Sequence, residues 1–436
     1  MDYEQLPPFK NPPENARVRG LLCTDQKGQV QVVAPESALI DPEPIVAVTA
    51  RELRSIPVSL QQPVCAIPGF YGVPTVIHTD LKGMPKLALA TENPGIYVEA
   101  TGKQIDELCN SHASFEADLC APLTPTPIKT NDDEQDILTA VDRFTVRRIE
   151  ARLDETLHIP PLPEAARRIL ALQRNPDFEL SELVQIIETD PAIAARIMGW
   201  ANSALYAAPS PVKTLHDAIM RVLGVDVVFN MAIGLAIGST LNLPKSDVSG
   251  ASPYWLDAVY TAATMEALAH QMSGDDTPAP GTCYLIGLLA NFGTLVLGHV
   301  FPPYYESICR MQEANPLIHH TYIDQHVLAV NREVIAATLF ELWDVPEEVS
   351  TSVRFQWVPD YAGDHQTYVK MLTIAKNLLS DQPVDYDPIP QTLALGREVV
   401  NIAAEIGISE PNLQLVADTV LKAREDLGDL ARLMTR

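Results

Sequence analysis

The run CYLIGLLANFGTLVLGHVF, Cys283 to Phe301, holds no Asp, Glu, Lys or Arg over 19 residues. A segment this apolar must leave water, so it either crosses a bilayer or forms the centre of a packed domain. Its length suffices for a span. Its content argues for a core: Gly287, Gly293, Gly298, Asn291 and His299 interrupt it, Pro302-Pro303 closes it, and no basic flank anchors it. It is expected to be a buried helix over about 282–300, which demands a shell of amphipathic helices around it. A chain of 436 residues that is 47% hydrophobic supplies that shell and leaves room for a second domain.

The shell is legible from Asp136 onward. "DILTAVDRF" places Ile137, Val141 and Phe144 on one helical face behind a cap at Asp132 or Asp133. "LSELVQIIETDP" carries Leu183, Ile186 and Ile187 on a stripe, with Ser181 as the expected cap. Asp190-Pro191 then stops one helix and starts the next, and Gly224 terminates "TLHDAIMRVLG". Further helices are predicted at about 225–241, 254–272, 327–343, 346–357, 366–380, 391–406 and 411–434.

The first block has the opposite period. "RVRGLLCTD", "GQVQVVA", "PVCAIPG", "PTVIHTD" and "GIYVEAT" read as short strands, and "DPEPIVAVTAREL" and "TGKQIDELCNSH" as helices between them. This predicts an α/β domain over 1–121, a proline-rich acidic linker over 122–135, an all-α domain over 136–380 and a helical extension over 381–436. Prolines and acidic residues should make 122–135 the first place a protease cuts.

The net charge of −25 is spread over both blocks and repels phosphate backbones, so no nucleic-acid partner is expected. Six scattered cysteines, with no C-x-x-C, argue against a zinc knuckle, a redox pair or a secreted disulfide framework. The start "MDYEQLPPFK" is no signal peptide, and with no membrane span expected the chain reads as cytoplasmic.

"IPPLPEAARRIL", "ETDPAIAARIMGWANSALYA", "TLHDAIMRVLG", "YWLDAVYTAATMEALA", "GLLANFGTLVL" and "REVIAATLFELWDVPEEV" follow one another in order. Together they resemble the HDOD domain, a helical output module of bacterial signalling proteins related to HD phosphohydrolases. The resemblance covers about 145–380 and implies a helical bundle. An HD-type metal centre needs imidazoles and carboxylates converging from several helices. Matched to that pattern, its first His falls near Asp257, its His-Asp pair on Ala290-Asn291, and later His positions near Asn331/Arg332 and Phe355-Gln356. Alanine and phenylalanine offer no ligand, asparagine a weak one, and arginine repels a cation. These residues imply an HD scaffold without its catalytic metal, and no cofactor is expected.

Four other polar or nucleophilic sets have to be weighed. His216-Asp217 sits in the first turn of a short helix, where an acid suits the dipole. His319-His320, with His326 further on, shows no acidic partner set and reads as a solvated helix start. Cys283 and Cys309 read as core residues. "ANSALYAAPSPV" offers Asn202, Ser203 and Tyr206 at a proline-set bend, either as turn chemistry or as a polar pocket or partner surface.

In the first block, "RVRGLLCTDQKGQVQVVAPESALID", "AIPGFYGVPTVIHTDL" and "GIYVEATGKQIDELC" resemble the YbaK/prolyl-tRNA-editing fold, which deacylates mischarged tRNA. Such domains carry a lysine near the scissile ester. The matching place here reads Val18-Arg19-Gly20-Leu21, with Arg19 instead. Gly69, Gly72 and Pro74 match the family's glycine-proline loop and could frame a ligand pocket. The combined reading is a bacterial regulatory protein that binds a protein partner or small ligand without catalysis. Its rivals are an HD-type metal-dependent phosphohydrolase and an aminoacyl-tRNA deacylase.

Overall fold

The structure, a computed structural model, describes residues 7–56, 73–90, 97–104, 114–122, 161–203, 205–239, 241, 254–273, 277–300, 302–315, 318–358, 360–380 and 395–434. The strand predicted at "PVCAIPG", most of the helix predicted after Thr101, the helix predicted from Asp136, and the linker beyond Pro122 lie outside these residues, as do Gly69 and Gly72.

The N-terminal unit is built on a hairpin of β1 (Arg17–Asp25) and β2 (Gly28–Pro35), paired antiparallel from Val18↔Pro35 to Asp25↔Gly28. Its Gln26-Lys27 turn closes because Gly28 takes φ 120°, a conformation side chains disfavour, while the Lys27 N–H donates to Asp25 Oδ1 at 2.7 Å. The remaining strands are β3 (Ala38–Ile40), β4 (Arg54–Ser55), β5 (Thr75–His78), β6 (Lys86–Ala90), β7 (Tyr97–Thr101), β8 (Ser114–Ala117) and β9 (Cys120–Pro122). The main sheet is mixed, in the order β7-β6-β1-β2-β5-β8, with β4 pairing the far end of β1; β3 and β9 pair separately. Helix α1 (Pro42–Thr49) is capped by Asp41, whose carboxylate accepts from the Glu43 N–H, and Pro42 occupies its first turn. Both sheet faces are covered. Val18, Val33, Ile77, Leu87 and Leu89 pack on one side, and Leu21, Val30, Val32, Ile45 and Val76 on the other.

The second unit is helical: α2 (Glu164–Gln173), α3 (Leu180–Glu188), α4 (Pro191–Ala201), α5 (Leu215–Ala218, running into a π turn over Ile219–Leu223), α6 (Val225–Gly238), α7 (Tyr254–Ala269), α8 (Pro280–Leu289), α9 (Phe292–Val300), α10 (Pro302–Ala314), α11 (His320–Leu328), α12 (Arg332–Leu342), α13 (Glu347–Phe355), α14 (Gln366–Ser380), α15 (Arg397–Glu405), α16 (Glu410–Lys422) and α17 (Arg424–Met434). Asp190 caps α4 by accepting from the Ala192 and Ile193 N–H groups, and Gly224 ends the π turn at φ 83°. The cap of α3 is Glu179 and not Ser181: the Glu182 carboxylate reaches back to the Glu179 N–H, and the Ser181 hydroxyl donates to Glu179.

Four predicted boundaries shift. The apolar run is two helices, α8 and α9, broken at Ala290-Asn291, and 78% of its most apolar window is buried inside the protein. Pro302 opens α10 and does not merely end α9, because a proline at the first helical position gives up no hydrogen bond. Residues 327–343 divide between α11 and α12, since the chain turns at Ala329 with φ 61°. The 411–434 segment breaks at Ala423 into α16 and α17. The C-terminal segment packs into the helical unit. Val399, Leu413, Val420, Leu427 and Met434 belong to the same core as Trp200 and Leu288, and Tyr260 of α7 donates to the Arg424 carbonyl at 2.8 Å.

The two units share a core. Leu39 and Ala121 of the small sheet pack with Leu297, Tyr305, Ile308 and Met311 of α9 and α10. Asn315, fully buried just after α10, stands in for a strand: its Oδ1 accepts from the Ile40 N–H and its Nδ2 donates to the Ile40 carbonyl, both at 2.8 Å. Ser55 adds a hydrogen bond to the Glu313 carbonyl at 2.6 Å. Pro122, the first residue of the predicted linker, pairs with Ala38 in the small sheet.

Candidate functional site

At the helix break three side chains from three segments meet. Asp257 comes from the first turn of α7, Asn291 from the α8–α9 break and Lys376 from the inner face of α14. The break has a tertiary cause. Gly287 lies so close to Ala262 that any side chain would strike the α7 backbone, and Gly293 lies as close to the Arg332 carbonyl. The Ala290 carbonyl, freed at the break, accepts from Gln356 Nε2 at 3.0 Å. Leu288, Leu289 and Phe292 are fully buried around it.

Lys376 Nζ donates to Asn291 Oδ1 at 2.6 Å and to Asp257 Oδ2 at 3.1 Å, and Asn291 Nδ2 closes the triangle on Asp257. Lys376 is 6% exposed and Asp257 29%, so an ammonium and a carboxylate face each other at the edge of the core. The positions that the HD resemblance equates with metal ligands do not fit a divalent ion. Ala290 has no donor, both ends of the Asn291 amide are engaged, and the Lys376 ammonium already neutralises Asp257. Arg332 is turned elsewhere: its Nε and Nη2 grip the two oxygens of buried Asp324, each at 2.6 Å. Burial works against the Arg332 charge, but the Asp324 carboxylate overrides it and raises the pKa. Phe355 stacks on Tyr361 with centroids 4.4 Å apart, and Gln356 Nε2 also holds the Val353 carbonyl at 2.9 Å.

Against the sequence reading, the His319-His320 pair does have acidic partners. Asp324 lies one turn beyond His320 on α11, and Glu333 comes from α12. His320 Nε2 meets Glu333 Oε1 at 2.6 Å, and Trp357 Nε1 donates to the same oxygen at 3.2 Å. Spacing within one segment could not show Glu333, which lies across the turn at Ala329. Burial opposes the Glu333 charge, yet His320 and then Arg332 hold its pKa well below the usual carboxylate range. His319 caps α11 through Nδ1, which accepts from the Thr321 N–H at 3.4 Å. Burial, reinforced by His320, lowers the His319 pKa to about 4.

The remaining sequence candidates divide. Asn202 is committed to the bend, since its amide donates to the Met198 and Val212 carbonyls and accepts from the Val212 N–H at 2.8 Å. Tyr206 donates to buried Glu266 at 2.5 Å, and burial, then Glu266, raises its pKa well above the phenolic value. Ser203 is buried with no partner for its hydroxyl among the described residues. His216 is exposed, and the Asp217 N–H donates to the Thr214 cap hydroxyl at 3.0 Å. Cys283 and Cys309 are buried, and burial raises both thiol pKa values. Arg19 reaches across the junction, donating to the Ala38 carbonyl at 2.8 Å and to Asn315 Oδ1 at 2.5 Å. Burial lowers its pKa to about 10. Pro74 gives its carbonyl to the Gln31 N–H at 2.8 Å, an ordinary sheet-edge role.

Residues 159–359 match the HDOD domain family. The helical unit contains an HDOD domain over residues 159–359. Along its whole length the chain is similar to a protein provisionally assigned to signal transduction from Marinobacter aquaeolei VT8, at 31% identity over 100% of this chain and 98% of that one, with a TM-score of 0.80. A structure provisionally named a phosphohydrolase, from Shewanella amazonensis SB2B, covers 69% of this chain and 98% of itself at 21% identity and a TM-score of 0.51, which shows the fold alone. An uncharacterised protein of Treponema pallidum (strain Nichols) is 25% identical over 248 residues, 56% of this chain and 46% of its own. The chain thus matches less than half the length of that relative.

Lys376 was missed by sequence reasoning, yet a signal exists. Val369, Leu372 and Lys376 fall at helical spacing on the buried face of α14, so a lysine stands where the period asks for an apolar residue.

Proposed function

We propose that this HDOD chain is a non-catalytic regulatory protein of a bacterial, cytoplasmic signalling pathway, acting by binding a protein partner or small ligand. The observation that carries this reading is the ammonium of Lys376 between Asp257 and Asn291. A fixed cation there competes with any divalent ion for the carboxylate, and an ammonium bonded to both partners activates no water. The N-terminal unit is part of the same reading, as a degenerate editing-like domain. Arg19 stands where that family's lysine would be, and its guanidinium is consumed by the junction. The net charge of −25 disfavours tRNA as a partner.

The test is turnover by the full chain, with and without added Mn²⁺ or Ni²⁺, of p-nitrophenyl phosphate, cyclic dinucleotides and mischarged tRNA. No turnover is expected. Hydrolysis abolished by Asp257→Ala or Arg19→Ala would overturn the reading for the corresponding unit. A salt-sensitive tRNA complex on a gel at physiological ionic strength would equally revive the editing function.

A further inference from the structure

Beyond the Lys376 centre lies a second cluster that the regulatory reading does not use. His320 and Asp324 of α11 and Glu333 of α12 each present a ligand atom, and these atoms all lie within 4.8 Å of one another. Asp324 is fully buried, and the Glu333 side chain is 7% exposed. Glu333 Oε1 is taken by His320 and Trp357, but its Oε2 is buried with no partner among the described residues. A carboxylate oxygen withdrawn from water and given no donor is costly, and such an orphan asks for a cation. Asn331 Oδ1, two residues before Glu333, is a second buried oxygen without a partner among them.

We infer that His320, Asp324 and Glu333 form a binding site for one divalent transition-metal ion. One imidazole and two carboxylates on two helices is a donor set that suits manganese, iron or zinc. Trp357 holds Glu333 Oε1 as ligand carboxylates are held in metal sites. Arg332, bonded to both Asp324 oxygens, competes with the ion for that carboxylate as Lys376 does at Asp257, so Glu333 and His320 carry most of the affinity. Arg332 cancels one of the two carboxylate charges but leaves each Asp324 oxygen a further lone pair. His320, 22% exposed, forms the outer wall and gives the ion a way in. Ligation needs an unprotonated ring nitrogen, so protons compete with the ion and affinity falls with falling pH. The three ligands come from α11 and α12, and none of them belongs to the Asp257–Asn291–Lys376 triangle. A metal here would staple α11 to α12, beside the α10 end that grips the N-terminal sheet through Asn315.

The experiment titrates chelator-treated full-length protein with Mn²⁺ or Zn²⁺ alone by calorimetry, with Co²⁺ absorption as a second readout. One equivalent should bind, more weakly at pH 6 than at pH 7.5. His320→Ala and Glu333→Gln should each weaken binding at least about tenfold, since losing even an outer partner of a metal ligand costs about 10–100-fold. His326→Ala should leave binding unchanged. His320 is partly exposed, so its variant reports on the site even if Glu333→Gln unfolds. No binding below about 1 mM, or one equivalent that survives the His320 substitution, overturns the inference. Absence of binding leaves the non-catalytic reading intact. Binding accompanied by phosphoester turnover keeps the site and overturns that reading instead.

Discussion

Arg19 in the sheet unit and Lys376 in the helical unit are both buried cations, and they are held in opposite ways. Among the described residues Arg19 bonds to neutral dipoles, the Ala38 carbonyl and the Asn315 amide, and burial drags its pKa down to about 10. Lys376 has a formal counter-charge in Asp257 and an amide that bridges the two. A cation among dipoles carries much of its own desolvation cost, whereas a paired cation also sustains its partner. The sheet unit thus uses its cation to glue a joint, and the HDOD unit uses its cation to complete a centre.

Removing each cation separates the two cases. Lys376→Met leaves the Asp257 carboxylate and Asn291 carbonyl oxygen without their donor. It should cost about 3 kcal/mol, the low end for an orphaned buried charge because Asp257 keeps some contact with water. A urea melt at pH 7 measures it, and a loss under about 1 kcal/mol would make the centre no different from a surface pair. Asn315→Ala strikes the joint itself. The Ile40 N–H and carbonyl and Arg19 lose their partner together, for about 2 kcal/mol in the same melt.

Acid should act mainly on the helical unit. His319 titrates at about 4 when folded, below its unfolded value of about 6.5. The unfolded chain therefore binds the extra proton between those values, and stability present above pH 6.5 is lost as pH falls toward 4. The expected loss is about 2 kcal/mol, and His319→Asn, which keeps a capping acceptor, should flatten that slope. The smallest effect belongs to Arg19→Met, about 1 kcal/mol, because its partners are neutral and the buried charge is relieved. A larger loss than for Lys376→Met would invert the comparison.

Much of this molecule is written locally. The period-two runs give way to helical stripes where the domains change, and Asp190-Pro191 and Gly224 punctuate the helices as their chemistry requires. These features depend on neighbours within a few residues, which a sequence displays directly. Tertiary packing decided the rest. The apolar run breaks in two because Gly287 and Gly293 must each lie against a different backbone, at Ala262 and Arg332. Lys376 meets Asn291 across 85 residues and Asn315 meets Ile40 across 275. Glu333 reaches His320 only because the chain turns at Ala329. A side chain's period tells which face it occupies, but its partner is set by which other face packs there, and that is decided by the whole core at once.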